Sequence, residues 1–211
     1  MVSQWRSLLN LRRLVGILVA EYCGGSREGF APVRRFTPGR VKRGWTMRYT
    51  KEDDARFQRL LAEMAEHPDT QILKDIPQHK GNTTFAHCAG VAACAYRLAK
   101  KWNIEVDLPS LVRGAMLHDF YLYDTETMPY SDYRHSLVHP KLALENAEKR
   151  FALNPKERNV ILSHMWPIPG APLPRSREAW LICLADKLCA WKEMHRKQLP
   201  EPNRPPKGQS D

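Results

Sequence analysis

The sequence contains no apolar run long enough to cross a membrane, because a spanning helix needs about 20 consecutive apolar residues. The apolar stretch at residues 8–20 is shorter and is interrupted by Arg12 and Arg13. The sequence also lacks the GxSxG motif of serine hydrolases and the phosphate-binding P-loop. These absences argue against a membrane-bound protein, a serine hydrolase and a P-loop enzyme.

The five cysteines form no CxxC pair and are odd in number, which argues against both a disulfide framework and a zinc ribbon. They lie at positions 23, 88, 94, 183 and 189. Small buried thiols are typical of proteins in a reducing compartment. We therefore expect a cytoplasmic protein in which the cysteines pack as small apolar side chains.

The formal net charge is +10, but most of the excess lies near the N-terminus. Before Met47 there are nine basic and two acidic residues, a net charge of +7, which leaves +3 for the rest of the chain. A nucleic-acid site would need a basic, aromatic-lined track. The tyrosine-rich segment after Asp119 has few cations, so a nucleic-acid partner is not expected.

The chain divides into a basic extension, a domain and a tail. Residues 1–46 could be a targeting segment, an amphipathic surface helix or the product of an upstream start codon. We favour the start codon and expect disorder, because Met47 lies just ahead of the first helical pattern. Residues 47–198 are predicted to form one domain, and the Pro-rich residues 199–211 a disordered tail.

Helical periodicity recurs through the domain and no alternating strand pattern competes, so the predicted fold is all-α with about six helices. Thr50 and Asp53 resemble a capping box and begin a first helix over about 51–66. The other helices are predicted from Thr83 or Thr84 to 102, from about 109 to 118, over about 140–152 and 155–165, and from a Ser176 cap to about 197. The segment between Asp119 and His139 is predicted to be a long loop at the rim of a pocket.

Six polar residues stand in otherwise apolar stretches and could bind metal: His87, His118, Asp119, His139, His164 and Asp186. A buried carboxylate is costly unless it is paired or binds a cation, so the two aspartates are the most informative members of the set. Imidazoles and carboxylates together suit divalent transition metals. Six ligands are too many for one catalytic metal that must keep a position open, and they suit two.

The order His87, His118-Asp119, His139, His164 and Asp186 resembles the six-ligand, binuclear motif of the HD-domain superfamily of metal-dependent phosphohydrolases, over about residues 79–195. The resemblance implies a helical bundle with two divalent ions, drawn from Fe, Mn, Ni, Co, Zn and Mg. It implies one metal at His87, His118, Asp119 and Asp186 and a second at His139 and His164, with Asp119 as the bridge. Lys187 matches the family's frequent Asp-Lys pair, and it could meet substrate phosphate or pair with a ligand carboxylate.

The resemblance implies hydrolysis of a small phosphorylated molecule, a nucleotide or a phosphomonoester, by a metal-bridged hydroxide. The same ligand order is similar to that of di-iron oxygenases, and a nonenzymatic nucleotide-binding sensor is a further alternative. Weaker site candidates are His79, Tyr121, Tyr123, Asp124, Arg134 and His135. The sequence leaves the oligomeric state open.

Overall fold

Seven α-helices make up most of the described part of the chain, which comprises residues 49–78, 82–123 and 132–195 of a computed structural model. No strand occurs among these residues, and Pro77 and Thr83 form only an isolated bridge. The all-α prediction is therefore confirmed. The helices are α1 (Lys51–Glu66), α2 (Pro68–Gln71), α3 (Thr84–Trp102), α4 (Leu108–Leu117), α5 (Asp132–Glu148), α6 (Pro155–Ser163) and α7 (Arg177–Met194), with a 3-10 turn at Ile72–Lys74 after α2.

Most helices begin at the cap residues that were predicted from the sequence. The Thr50 side chain accepts from the Asp53 N–H and Asp53 reaches back to the Thr50 N–H, which is a complete capping box for α1. Thr83 accepts from the Ala86 N–H at the start of α3, and Ser176 caps α7 in the same way. Each of these side chains satisfies a helix N–H that has no partner within the helix.

Helix α5 corrects the prediction around Pro140. The proline was expected in a first turn, but α5 begins at Asp132 and contains Pro140 in its interior. Residues 132–138 are therefore helical where a loop was expected, and His139 lies within the helix instead of at its start. A proline inside a helix costs about 3 kcal/mol, so contacts such as those of α5 with α6 must offset this cost for the helix to continue through Pro140. The helix also ends at Glu148, earlier than predicted.

Helix α4 lies at the centre of the helical domain, and most of its residues are buried. It packs against α1, α3, α6 and α7, while α3 also packs along α7. Helices α4 and α6 approach closely at Gly114, where an added Cβ would lie 2.8 Å from Val160 Cγ1. This packing fixes the relative positions of the ends of α4 and α6 and of the middle of α7.

The described residues do not include the two ends of the sequence. The predictions for residues 1–46 and 199–211 fall outside them. Among residues 49–78, 82–123 and 132–195, no helix combines the length and apolar character that a membrane span requires.

Candidate metal centre

The structure brings all six predicted ligands together in the core. His87 lies in the first turn of α3, His118 caps the C-terminus of α4 and is followed by Asp119, and His164 caps the C-terminus of α6. His139 comes from the middle of α5, and Asp186 from the middle of α7. None of the six is more than 7% exposed. The cluster spans about a hundred residues of sequence and joins five helices.

The two oxygens of Asp119 face different histidines. Asp119 Oδ1 lies 3.4 Å from the Nε2 atoms of both His139 and His164. Asp119 Oδ2 lies 3.4 Å from His118 Nε2 and 3.9 Å from His87 Nε2. Asp186 joins this second group, with Oδ1 3.2 Å from His87 Nε2 and 3.9 Å from His118 Nε2. The ligand atoms of His87, His118 and Asp119 are close enough to hold one ion, and so are those of Asp119, His139 and His164, so that Asp119 is common to both sets. The ligand atoms of His118, His164 and Asp186 form a third such set, which crosses between these two.

Backbone carbonyls orient three of the imidazoles. His118 Nδ1 donates to the carbonyl three residues earlier in α4 at 2.7 Å, and His164 Nδ1 does the same in α6 at 2.8 Å. His139 Nδ1 donates to the carbonyl four residues earlier in α5 at 2.9 Å. A carbonyl only accepts hydrogen bonds, so each Nδ1 must carry a proton. In the neutral ring, Nε2 then presents its lone pair to the centre of the cluster, as a metal ligand requires.

Several polar atoms at the centre have no suitable hydrogen-bond partner among the described residues and would suit a cation instead. His118 Nε2 and Asp119 Oδ1 are buried and have no hydrogen-bond partner among the described residues, an arrangement that costs free energy. His139 Nε2 and His164 Nε2 lie 2.8 Å apart although both rings donate through Nδ1. Their lone pairs therefore face each other when both rings are neutral. A divalent cation would satisfy these atoms, so the residues fit a metal centre.

Electrostatics keep both carboxylates ionised. Burial raises the pKa of Asp119, but His118, His139 and His164 outweigh burial and hold it well below its usual range. Burial likewise raises the pKa of Asp186, and Lys187 and His87 outweigh it, again to well below the usual range.

The histidines diverge in their pKa values. Burial lowers the pKa of His164 to about 4, which keeps this ring neutral and available as a ligand. Burial also lowers the pKa of His87, but hydrogen bonds to Asp186 and Glu193 raise it to about 10. This raised pKa favours a doubly protonated ring, in which Nδ1 donates to Glu193 and Nε2 carries a second proton that it donates to Asp186. Metal binding would displace this proton from Nε2.

Lys187 contacts two of the ligand residues. Its ammonium group donates to Asp186 Oδ2 at 3.0 Å and to the backbone carbonyl of His164. The sequence suggested two roles for Lys187, contact with substrate phosphate or pairing with a ligand carboxylate. The observed contact with Asp186 is of the second kind. The contact joins α7 to the end of α6.

Two side chains that hold the ligands were not identified from the sequence. Gln78 Nε2 donates to Asp119 Oδ2 at 3.0 Å, and Gln78 Oε1 accepts from the Tyr121 hydroxyl at 2.5 Å. Glu193 accepts from His87 Nδ1 at 3.0 and 3.1 Å. Gln78 gave no sequence signal. Glu193 lies in a charged run, but it follows Asp186 by seven residues, which places both on one face of α7.

Three weaker candidates line the side of the centre near His139. His135 stacks on His139 with ring centroids 4.7 Å apart, and Tyr121 contacts the same ring edge-on at 5.8 Å. The Tyr123 hydroxyl lies 3.1 Å from His135 Nδ1. Arg134 is exposed on α5. His79 and Asp124 lie outside the described residues.

Comparison with known proteins identifies one family. The family model for the HD domain matches residues 84–191, just over half of the 211-residue chain. This segment includes all six clustered residues and Lys187. No curated protein and no solved structure matches the chain.

Proposed function

Because this chain belongs to the HD domain family, we propose that it is a metal-dependent phosphohydrolase with a binuclear centre. In this proposal His87, His118, Asp119 and Asp186 would hold one divalent cation. His139 and His164 would hold a second, and Asp119 would be shared by both sites.

The two-sided environment of Asp119 is the observation that carries this proposal. Its Oδ1 faces one pair of imidazoles at 3.4 Å and its Oδ2 faces the other pair at 3.4 and 3.9 Å. A carboxylate that is 5% exposed and surrounded by four ring nitrogens is suited to bridging. Asp119 Oδ1 has no hydrogen-bond partner among the described residues, which also favours a metal at that oxygen.

The protein's own groups prepare the site for phosphoester chemistry. A pair of divalent cations supplies, when bound, Lewis acidity toward a phosphoryl oxygen and a water of lowered pKa. Asp119 and Asp186 offset the charge of the cations, while the Nδ1 bonds of His118, His139 and His164 hold these rings in place. Burial of the ligands excludes bulk water from the ligand atoms. This chemistry requires no serine or cysteine nucleophile.

The surroundings of His139 support a small phosphorylated substrate. Tyr123 and His135 are half-buried beside the centre, so a ligand could reach them. An aromatic ring can stack on a nucleobase, and an imidazole can donate to a phosphate oxygen. We therefore propose a nucleotide or a phosphomonoester as the substrate class.

Metal analysis and a substrate screen would test the proposal. Protein purified without chelator should contain about two divalent ions per chain, in keeping with a two-metal site. Chelator-treated protein reloaded with manganese, iron, cobalt, nickel, zinc or magnesium should release phosphate from some members of a panel of phosphomonoesters, nucleotides and dinucleotides. The release should be equal in air and under nitrogen. Turnover that requires dioxygen would indicate the oxygenase alternative, and nucleotide binding without turnover the sensor alternative.

Asp119→Ala should abolish phosphate release and lower the metal content, because it removes the carboxylate shared by both halves of the centre. Glu63→Gln is a suitable control, since it neutralises an exposed carboxylate on α1. The control should match the parent in both measurements. An Asp119→Ala protein that binds metal and hydrolyses phosphoesters as the parent does would contradict the proposed function.

A further inference from the structure

The Glu193 carboxylate accepts a hydrogen bond from the Nδ1 atom of His87. Among the described residues, no other side-chain carboxylate accepts from the Nδ1 atom of a clustered histidine. Both oxygens of Glu193 lie within hydrogen-bond distance of His87 Nδ1, at 3.0 and 3.1 Å. The contact is largely shielded, since the side chain of His87 is 1% exposed and that of Glu193 is 17% exposed. Glu193 lies two residues beyond the segment that the family model matches.

The ring of His87 differs from those of His118 and His164 in the kind of acceptor that its Nδ1 meets. His118 and His164 lie at the C-terminal ends of α4 and α6, where the last carbonyls lack helical N–H partners and can accept a ring N–H. His87 lies in the first turn of α3, and the Thr83 carbonyl accepts the His87 backbone N–H at 3.0 Å. The acceptor for the His87 ring is instead a side chain from another helix.

Helix α7 brings Glu193 to His87 through packing that also delivers Asp186. The two acidic residues are seven positions apart, or about two helical turns, and therefore share the face of α7 that packs on α3. Asp186 Oδ1 lies 3.2 Å from His87 Nε2, on the opposite side of the ring from Glu193. The imidazole is thus held at both nitrogens by one helix.

We infer that Glu193 is a positioning residue, which holds the His87 ring with Nδ1 protonated and Nε2 directed at the first metal site. The inference rests on the proposed metal centre. A carboxylate acceptor also makes a coordinating imidazole a stronger donor to the metal, because it draws the Nδ1 proton toward itself. Glu193 therefore strengthens metal binding at the half of the centre formed by His87, His118 and Asp186.

Zinc affinity in a set of variants tests this inference. Chelator-treated protein would be titrated with zinc against a competing chelator for the parent, Glu193→Ala, Glu193→Gln and Glu63→Gln. Glu193→Ala should weaken binding at one site by about 10–100-fold, the usual range for loss of a partner of a ligand. Glu193→Gln keeps an acceptor oxygen but no charge, and it should fall between Ala and the parent. Glu63→Gln makes the same charge change on an exposed surface and should match the parent.

A double-variant cycle separates an effect through His87 from a general structural effect. If Glu193 acts through this ring, Glu193→Ala should cause no further loss of zinc affinity in a His87→Ala background. An equal loss in both backgrounds would overturn the inference, and so would parent-like affinity in Glu193→Ala.

Proton NMR of the zinc-loaded protein provides a readout that a structural role alone would not change. The parent should show a downfield ring N–H signal that is absent in His87→Ala and is therefore assigned to His87 Nδ1. This signal should be lost in Glu193→Ala and retained, at a shifted frequency, in Glu193→Gln. An unchanged signal in Glu193→Ala would overturn the inference while leaving the proposed function intact. A parent that takes up no zinc and no other divalent ion would instead overturn the proposed function and this inference with it.

Discussion

The contacts of Lys187 determine which effects its substitution should have on metal binding and on turnover. Its ammonium group donates to Asp186 Oδ2 at 3.0 Å and also reaches the His164 carbonyl. It therefore contacts a proposed ligand from each half of the centre. A lysine that faced only the substrate would affect turnover and leave the cations in place, whereas a lysine in these contacts should affect both.

Lys187→Met should weaken metal binding as well as turnover, because methionine fills similar space without donating to Asp186 or to the His164 carbonyl. We expect a loss of about 10–100-fold in metal affinity, measured by competition with a chelator. Lys192→Met is the control, since Lys192 is exposed on the same helix. Normal metal affinity with reduced turnover in Lys187→Met would instead assign the lysine to the substrate phosphate.

Gly114 on α4 and Gly90 on α3 differ in how closely the neighbouring helices pack against them, which bears on the packing around the candidate metal centre. A Cβ at Gly114 on α4 would lie 2.8 Å from Cγ1 of Val160 on α6, and Val160 is completely buried. A Cβ at Gly90 on α3 would have nothing within 4 Å. The close approach of α4 and α6 matters for function because these helices end at His118 and His164.

Gly114→Ala should lower the free energy of unfolding, because overpacking a buried contact costs about 1–3 kcal/mol, while the gain in helix propensity is at most about 1 kcal/mol. Gly90→Ala gains the same propensity without a clash and should raise the free energy of unfolding by about 0.5–1 kcal/mol. Urea unfolding would measure both.

Val160→Ala provides the check on the cause of the Gly114→Ala effect. The double variant should be less destabilised than the sum of the two single variants, since removal of the Val160 methyl groups relieves the contact. Simple additivity would mean that the clash with Val160 is not what destabilises Gly114→Ala.

At the scale of the whole molecule, Tyr49 ties the residues just before α1 to the rest of the helical domain. The Tyr49 hydroxyl donates to the Ile104 carbonyl at 2.5 Å, and its ring contacts Tyr96 edge-on at 5.6 Å. Thr50 then caps α1. A chain that starts at Met47 keeps all of these contacts.

Removal of residues 1–46 should leave the melting temperature and the proposed phosphohydrolase activity nearly unchanged, because this basic segment, which contains Gly and Pro, offers no sustained amphipathic face for packing. A chain that starts at Thr50 loses Tyr49 and should melt at a lower temperature, by about 2–4 °C for each kcal/mol lost in a protein of this size. Thermal unfolding followed by circular dichroism would compare the two. A fall of several degrees in the Met47 form would contradict the predicted start of the domain.

Local interactions explain which parts of this structure could be read from the sequence. Helix caps act over three residues, so Thr50, Thr83 and Ser176 marked the starts of α1, α3 and α7. The six clustered residues were recognisable because the two aspartates are costly to bury unpaired and because the order of all six resembles one family motif. The all-α class followed from periodicity alone.

Tertiary packing decided the rest. Pro140 reads locally as a helix start, yet packing against α6 keeps it inside α5. Asp119 faces two groups of imidazoles only because five helices converge, and no local pattern encodes which oxygen faces which ring. Glu193 contacts a histidine 106 residues earlier in the chain. Such contacts depend on how α3 and α7 pack, which is set by the burial of apolar side chains along both helices and not by the residues next to Glu193 in sequence.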